Sequence, residues 1–152
     1  MSDLTLDLDL LQDALEANAA FIAWCGVGAT VADHVFQVCG DNTHFPQVVI
    51  SHGPQWRQEI ADLDTGFLTT PQMLVEFVNV CEKSDTNGEV FRALAANVGM
   101  VMDELKHQTL WRFAAWYPGS ENTPARASAS ASTDYASYRI YADGIIRDEV
   151  ET

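Results

Sequence analysis

The sequence predicts a mainly α fold: a single helical domain of about five helices around a long central helix, with one short strand and a C-terminal β-hairpin. Three observations carry that expectation. Apolar residues recur at helical spacing between Gly88 and Trp116, cap-and-proline signals open helices at several earlier points, and Asp143-Gly144 separates two β-prone segments.

The first helix is expected from about Leu10. Asp9-Leu-Leu-Gln12 has the form of a capping box, in which Asp9 accepts the Gln12 amide and Gln12 reaches back. Leu8, Leu11, Leu15 and Ile22 share one stripe, and Gly26 supplies a left-handed C-terminal cap. Just upstream, Leu4, Leu6, Leu8 and Leu10 alternate with polar residues at a strand period, so residues 3–8 read both ways. Thr30 with Asp33 marks a second, shorter helix to about Cys39, closed by Gly40.

Residues 41–46 read as loop and Gln47–Ser51, with a Val-Val-Ile centre, as the one short buried strand. Pro54 suits the first position of a helix to about Leu63, and Thr70-Pro71 repeats that signal for a helix to about Lys83. Asn87 caps the longest helix, whose stripe of Leu94, Val98, Val101 and Leu105 marks it as central to the core. Pro118-Gly119 stops it. The boundaries that follow are a helical domain over 1–117, a flexible Ala/Ser/Pro linker over 118–134 and a hairpin arm over 135–152. A type I′ turn at Asp143-Gly144 sets Tyr141 against Ile146 and Arg139 against Asp148. Two strands alone are marginal in water, so this arm must dock on the body or on another chain.

Charge says more about partners than about chemistry. Residues 1–56 contain seven acids (Asp3, Asp7, Asp9, Asp13, Glu16, Asp33, Asp41) and no lysine or arginine; Arg57 is the first cation. Charged residues make up 20% of the chain, below the roughly 25% of an average domain, so the net −14 reflects missing cations rather than dense acids. Such a surface repels phosphates and attracts cations, which disfavours direct nucleic-acid binding. Seven acids over 56 residues are too sparse to mimic a duplex unless folding gathers them. No long uncharged apolar run marks a membrane span. Three separated cysteines in apolar surroundings, Cys25, Cys39 and Cys81, suit reduced, buried, core-filling thiols, and with them a cytoplasmic or other reducing compartment.

No catalytic motif emerges. Cys25-Gly-Val-Gly-Ala-Thr30 follows a helix rather than a strand and lacks both nucleotide fingerprints. Cys39, His44 and His52, with His34 a turn ahead of Cys39, lack the tight ligand pairs of zinc sites. Nor does any nearby cation favour a Cys39 thiolate. No metal and no cofactor is expected. The contact surface expected instead is aromatic: Trp111, Arg112, Phe113, Trp116 and Tyr117 surround the end of the long helix, and Tyr138 and Tyr141 sit on the hairpin. With the acids Asp7, Asp9, Asp13 and Glu16 as a complementary face, these residues imply a non-enzymatic, self-associating structural or assembly subunit, a homo-oligomer of the kind found in virion-type shells and scaffolds. The alternative is a small acidic inhibitor or chaperone that occupies a basic, nucleic-acid-binding site on a partner.

Overall fold

The computed structural model describes residues 6–37, 39–55, 57–62, 66–70, 72–82, 89–108, 115–119, 127–128, 133–144 and 146–149. It corrects the mainly α expectation: instead of about five helices and one strand, three α-helices cover a mixed sheet. Helices α1 (Leu6–Glu16) and α2 (Ala19–Cys25) lead through a short 3-10 turn, Val31–His34, into β1 (Val35–Gln37) and β2 (Gln47–His52). Strands β3 (Arg57–Asp62), β4 (Gly66–Thr70) and β5 (Gln72–Glu82) precede α3 (Glu89–Gln108). Strands β6 (Ala115–Pro118), β7 (Ala127–Ser128), β8 (Thr133–Asp143) and β9 (Ile146–Glu149) follow it.

The main sheet runs β1-β2-β5-β8-β6, and β7 pairs with β8. Only β1 and β2 are parallel within it. On its inner face Val48, Ile50, Met73, Val75, Phe77, Ile140 and Ala142 are buried against Leu11 and Leu15 of α1, Phe21 of α2, and the α3 stripe of Leu94, Val98, Val101 and Leu105. Helix α1 lies over β1 and β2, whereas α3 lies over β5 and β8. The other face carries no helix among the described residues, and its centre holds the Arg139–Glu76 ion pair at 2.5 Å.

The two helices expected after Pro54 and Thr70 are strands. Residues 72–82 are rich in β-branched and aromatic side chains, and Met73, Val75 and Phe77 alternate into the core, a period that fits a pleated strand and not a helical stripe. The long helix is described over Glu89–Gln108, and Trp116 and Tyr117, expected at its end, belong to β6, where alternation sends them to opposite faces. That resolves how one element carries so many aromatics.

The C-terminal hairpin is also corrected. Asp143 pairs with Gln72 rather than opening a turn, and Tyr141 stands opposite Leu74 and Tyr117 instead of Ile146. β8 is flanked on both edges, and its long ladders outweigh the local preference of Asp-Gly for a turn. Beyond it, β9 pairs with β4 in the same register. Six residues separate Gly66 from Gln72, and six separate their partners Glu149 and Asp143. The ladder therefore continues from one sheet into the second, β3-β4-β9. β3 extends β2 in the same sense, with the Gly53 amide donating to the Gln72 carbonyl at 2.6 Å between them. Among the described residues the main helix packing is on β1, β2, β5 and β8, and the three-stranded extension continues beyond it.

At the N-terminus the strand reading of residues 6–8 gives way to helix. Asp9 lies inside α1 and caps nothing; it accepts from Gln37 Nε2 at 2.9 Å, tying α1 to β1. The expected single helix to Gly26 breaks at Asn18, which is fully buried and caps α2 through its Oδ1, accepting from the Phe21 amide at 2.9 Å.

Candidate interaction surfaces

The expected aromatic surface divides in the structure. Trp111, Arg112 and Phe113 lie outside the described residues. Trp116 and Tyr138 turn toward the helices. With Val98, Gly99 and Met102 of α3 and Ile140 of β8 they line a groove of about 150 Å³, enough for one aliphatic or aromatic side chain. Asp103 and Lys106 stand on its rim, one of each sign. Tyr138 is further held by Phe91, their ring centres 5.8 Å apart.

Tyr117 and Tyr141 occupy the opposite face. Their rings stack with centres 5.9 Å apart and planes at 25°. The Tyr117 hydroxyl donates to Asp143 at 2.8 Å and accepts from Gln72 Nε2 at 2.9 Å. Partial burial and the Asp143 carboxylate hold that phenol above its ordinary pKa. Gln72 is itself buried and accepts from the Gln55 amide at 2.9 Å, so one network fixes the β6 edge, the end of β5 and the turn after β2. A stacked, hydrogen-bonded tyrosine pair is rigid, which suits it to contact without an ordering cost.

The acids are gathered elsewhere. Asp9 and Asp13 are exposed on α1, Glu16 is half-buried and accepts from Gln12 Nε2 at 3.1 Å, and Asp7 lies in the first turns of the same helix. Helix α1 rides over β1, the terminal strand at one end of the main sheet, while the tyrosine pair and the groove sit at the β6 end. Acidic and aromatic surfaces are thus at opposite ends of one sheet. The cations Arg92 and Lys106 are exposed on α3, and Lys106 lines the groove at the aromatic end.

The loop before β2 is an ordered turn. Asp41 accepts from the amides of Thr43 and His44 at 3.2 and 3.1 Å, and its second oxygen meets His44 Nδ1 at 2.5 Å. The bond to His44 holds the Asp41 carboxyl well below the usual range and raises the His44 pKa above 6.5. Behind it the buried His34 donates from Nδ1 to the Pro46 carbonyl at 2.7 Å, its ring edge-on to His44. His52 lies at the far end of β2, about 17 Å of extended chain from the start of that strand, so it does not share the site. Two of the cysteines expected as buried core fillers are not so placed: Cys39 is exposed beside this loop and Cys25 is half-buried, both as free thiols. Burial pushes the Cys25 thiol up to about 11, a protonated and unreactive state at neutral pH. Among the described residues no group of three or more His, Cys, Asp or Glu side chains comes together to hold a metal. None of the described helices is long and apolar enough to cross a membrane.

Two features escaped the sequence reading, the capping role of Asn18 and the exposure of Val27 in a glycine turn that the sequence did mark. The Asn18 node has a local signal, a cap residue before a short apolar run, masked there by the continuous Leu8-to-Ile22 stripe. The second is the turn after α2, where Gly26 and Gly28 take φ of 101° and 82° and thrust Val27 fully into solvent. No protein-family model and no curated protein matches this sequence.

Proposed function

We propose that this chain is a non-enzymatic structural subunit that associates with copies of itself head to tail, in the manner of ring- or shell-forming proteins. The observation that carries the reading is the separation of complementary surfaces. The acidic α1 layer covers the β1 end of the sheet, and the Trp116 groove, the Tyr117–Tyr141 stack and Lys106 mark the β6 end. Unlike patches on opposite ends of a body make heterologous contacts, and these propagate into rings or filaments rather than closing as a twofold dimer. The β3-β4-β9 extension supports the same reading, because strands that leave the helical layer offer backbone edges to a neighbour.

Light scattering on the purified chain tests this. A mass above that of the monomer is expected, rising with protein concentration, with association slowing between roughly 50 and 500 mM salt as exposed charges are screened. A monomer at every concentration and salt would refute the proposal.

A further inference from the structure

Val27 is 109% exposed, more than a valine in an extended reference chain, and it is held there by glycines on both sides in positive-φ conformations. Val35, Val48, Val75, Val98 and Val101 are buried and Val80 is 39% exposed, so none of the other described valines approaches the exposure of Val27, from which a monomer gains nothing. Ile22, one helical turn or so earlier, is also exposed. Around them the chain carries no charge from Ala17 to Ala32, sixteen consecutive residues between Glu16 and Asp33 in a protein of net −14. An uncharged surface of this kind lets two acidic copies come together without like-charge repulsion at the contact itself.

The receptor for this knob lies on the same molecule but out of its own reach. Helix α3 meets the α2 segment along Val101, Glu104 and Gln108, through bonds from Asn18 and from the Ala20 amide. The groove opens along Gly99, Met102 and Lys106, on the opposite flank of α3. Its mouth is at Gly99, where a Cβ would meet nothing within 4 Å. Its floor of Val98, Met102, Trp116 and Tyr138 is apolar, and its volume of about 150 Å³ accommodates a branched aliphatic side chain.

We infer that Val27 of one copy docks in the groove formed by Gly99, Met102 and Trp116 of the next, with Ile22 packed beside it. This rests on the self-association proposed above and names its contact. A knob on one flank of α3 and a hole on the other makes the interface heterologous, as the placement of the charges requires.

The test uses two substitutions that spare the fold. Val27→Asp changes a fully exposed side chain; Gly99→Leu enters open space and improves helix propensity, so both variants should melt at or above the wild-type temperature. Each should associate at least about tenfold more weakly by light scattering or sedimentation, whereas Val27→Ile should associate like wild type. The two variants mixed together should recover a dimer and nothing larger, because Val27→Asp retains an intact groove and Gly99→Leu an intact knob. If the wild type forms oligomers that neither substitution weakens, or the mixture fails to pair, this inference is overturned while self-association stands. A wild type that is monomeric throughout overturns both.

Discussion

Replacing Asn18 by alanine should lower stability by about 2–3 kcal/mol. Its side chain is fully buried and serves three partners: Oδ1 accepts from the Phe21 amide, and Nδ2 donates to the Val101 carbonyl at 3.0 Å and to Gln108 Oε1 at 3.2 Å. Loss of the cap alone costs about 1 kcal/mol. Each donated bond contributes about 0.5–1.5 kcal/mol net, at the lower end here because Gln108 is partly exposed and the Val101 carbonyl sits within helix α3. Gln108 also donates to the Ala14 carbonyl at 3.0 Å, so its own anchoring to α1 survives. Against a typical total of about 5–15 kcal/mol the loss is large, and for a chain of this size it lowers Tm by roughly 4–12 °C. Urea titration followed by far-UV circular dichroism reads it as a lower midpoint at unchanged slope. Asn18→Ser keeps a capping oxygen and gives up the donors, so it should recover about 1 kcal/mol. A loss below about 0.5 kcal/mol for alanine, or no recovery by serine, would show that the junction of α1, α2 and α3 does not depend on this node.

Further expectations concern the loop, a thiol and a glycine. Because His44 is raised above 6.5 by Asp41, its contribution to the loop is complete below 6.5 and fades as pH rises through the folded value; that of Asp41, lowered from 3.8, is present above 3.8 and fades as pH falls through its folded value. An NMR titration should place His44 above 6.5 and Asp41→Asn should bring it back down, while a His44 titrating at 6.5 in the native protein would contradict the bond. With Cys25 near 11 against an ordinary 9.0, its thiolate is about a hundredfold scarcer than that of an unperturbed thiol, so iodoacetamide at pH 8 should label Cys39 well before Cys25 in peptide maps; equal rates would refute the burial. A Cβ on Gly53 would stand 2.5–2.8 Å from the Gln72 side chain, so Gly53→Ala should cost about 1–3 kcal/mol in urea and disturb the Tyr117 environment, and an alanine variant as stable as wild type would mean that Gln72 yields freely.

What the sequence made legible was local, and what it concealed was long-range. The stripe of Leu94, Val98, Val101 and Leu105 is buried as its spacing implies, and Gln47–His52 is a strand as its Val-Val-Ile centre implies. The prolines misled. Pro54 and the Thr70-Pro71 pair have the form of helix starts, yet Pro54 stands where β2 gives way to β3, and Thr70 closes β4 just before β5 begins at Gln72. A proline marks an interruption, and its fixed φ serves a break between strands as well as a first helical turn. The Asp143-Gly144 signal failed for a different reason. β8 pairs along its full length with β5, whose residues lie some 50 to 70 positions earlier in the chain, and no window of local sequence contains that partner.

The cation-free opening segment acquires its meaning only from this topology. Residues up to Trp56 build α1, α2, β1 and β2, which form one half of the helix-on-sheet body; α3, β5, β6 and β8, carrying Arg92, Lys106 and Arg139, form the other. A separation along the sequence thus becomes a separation across the molecule, because the sheet order β1-β2-β5-β8-β6 keeps the early strands together at one end. A body whose first half lacks lysine and arginine while its second half is acidic but mixed has an electrostatic direction, and a second copy meets the acidic end with least repulsion when the half bearing Arg92 and Lys106 is foremost. Exposed charges of this sort steer approach more than they hold a complex, since each surface pair is worth little once formed. Holding requires apolar contact, which is why an uncharged turn bearing Val27 and a groove floored by Trp116 matter to the same association that the charges orient.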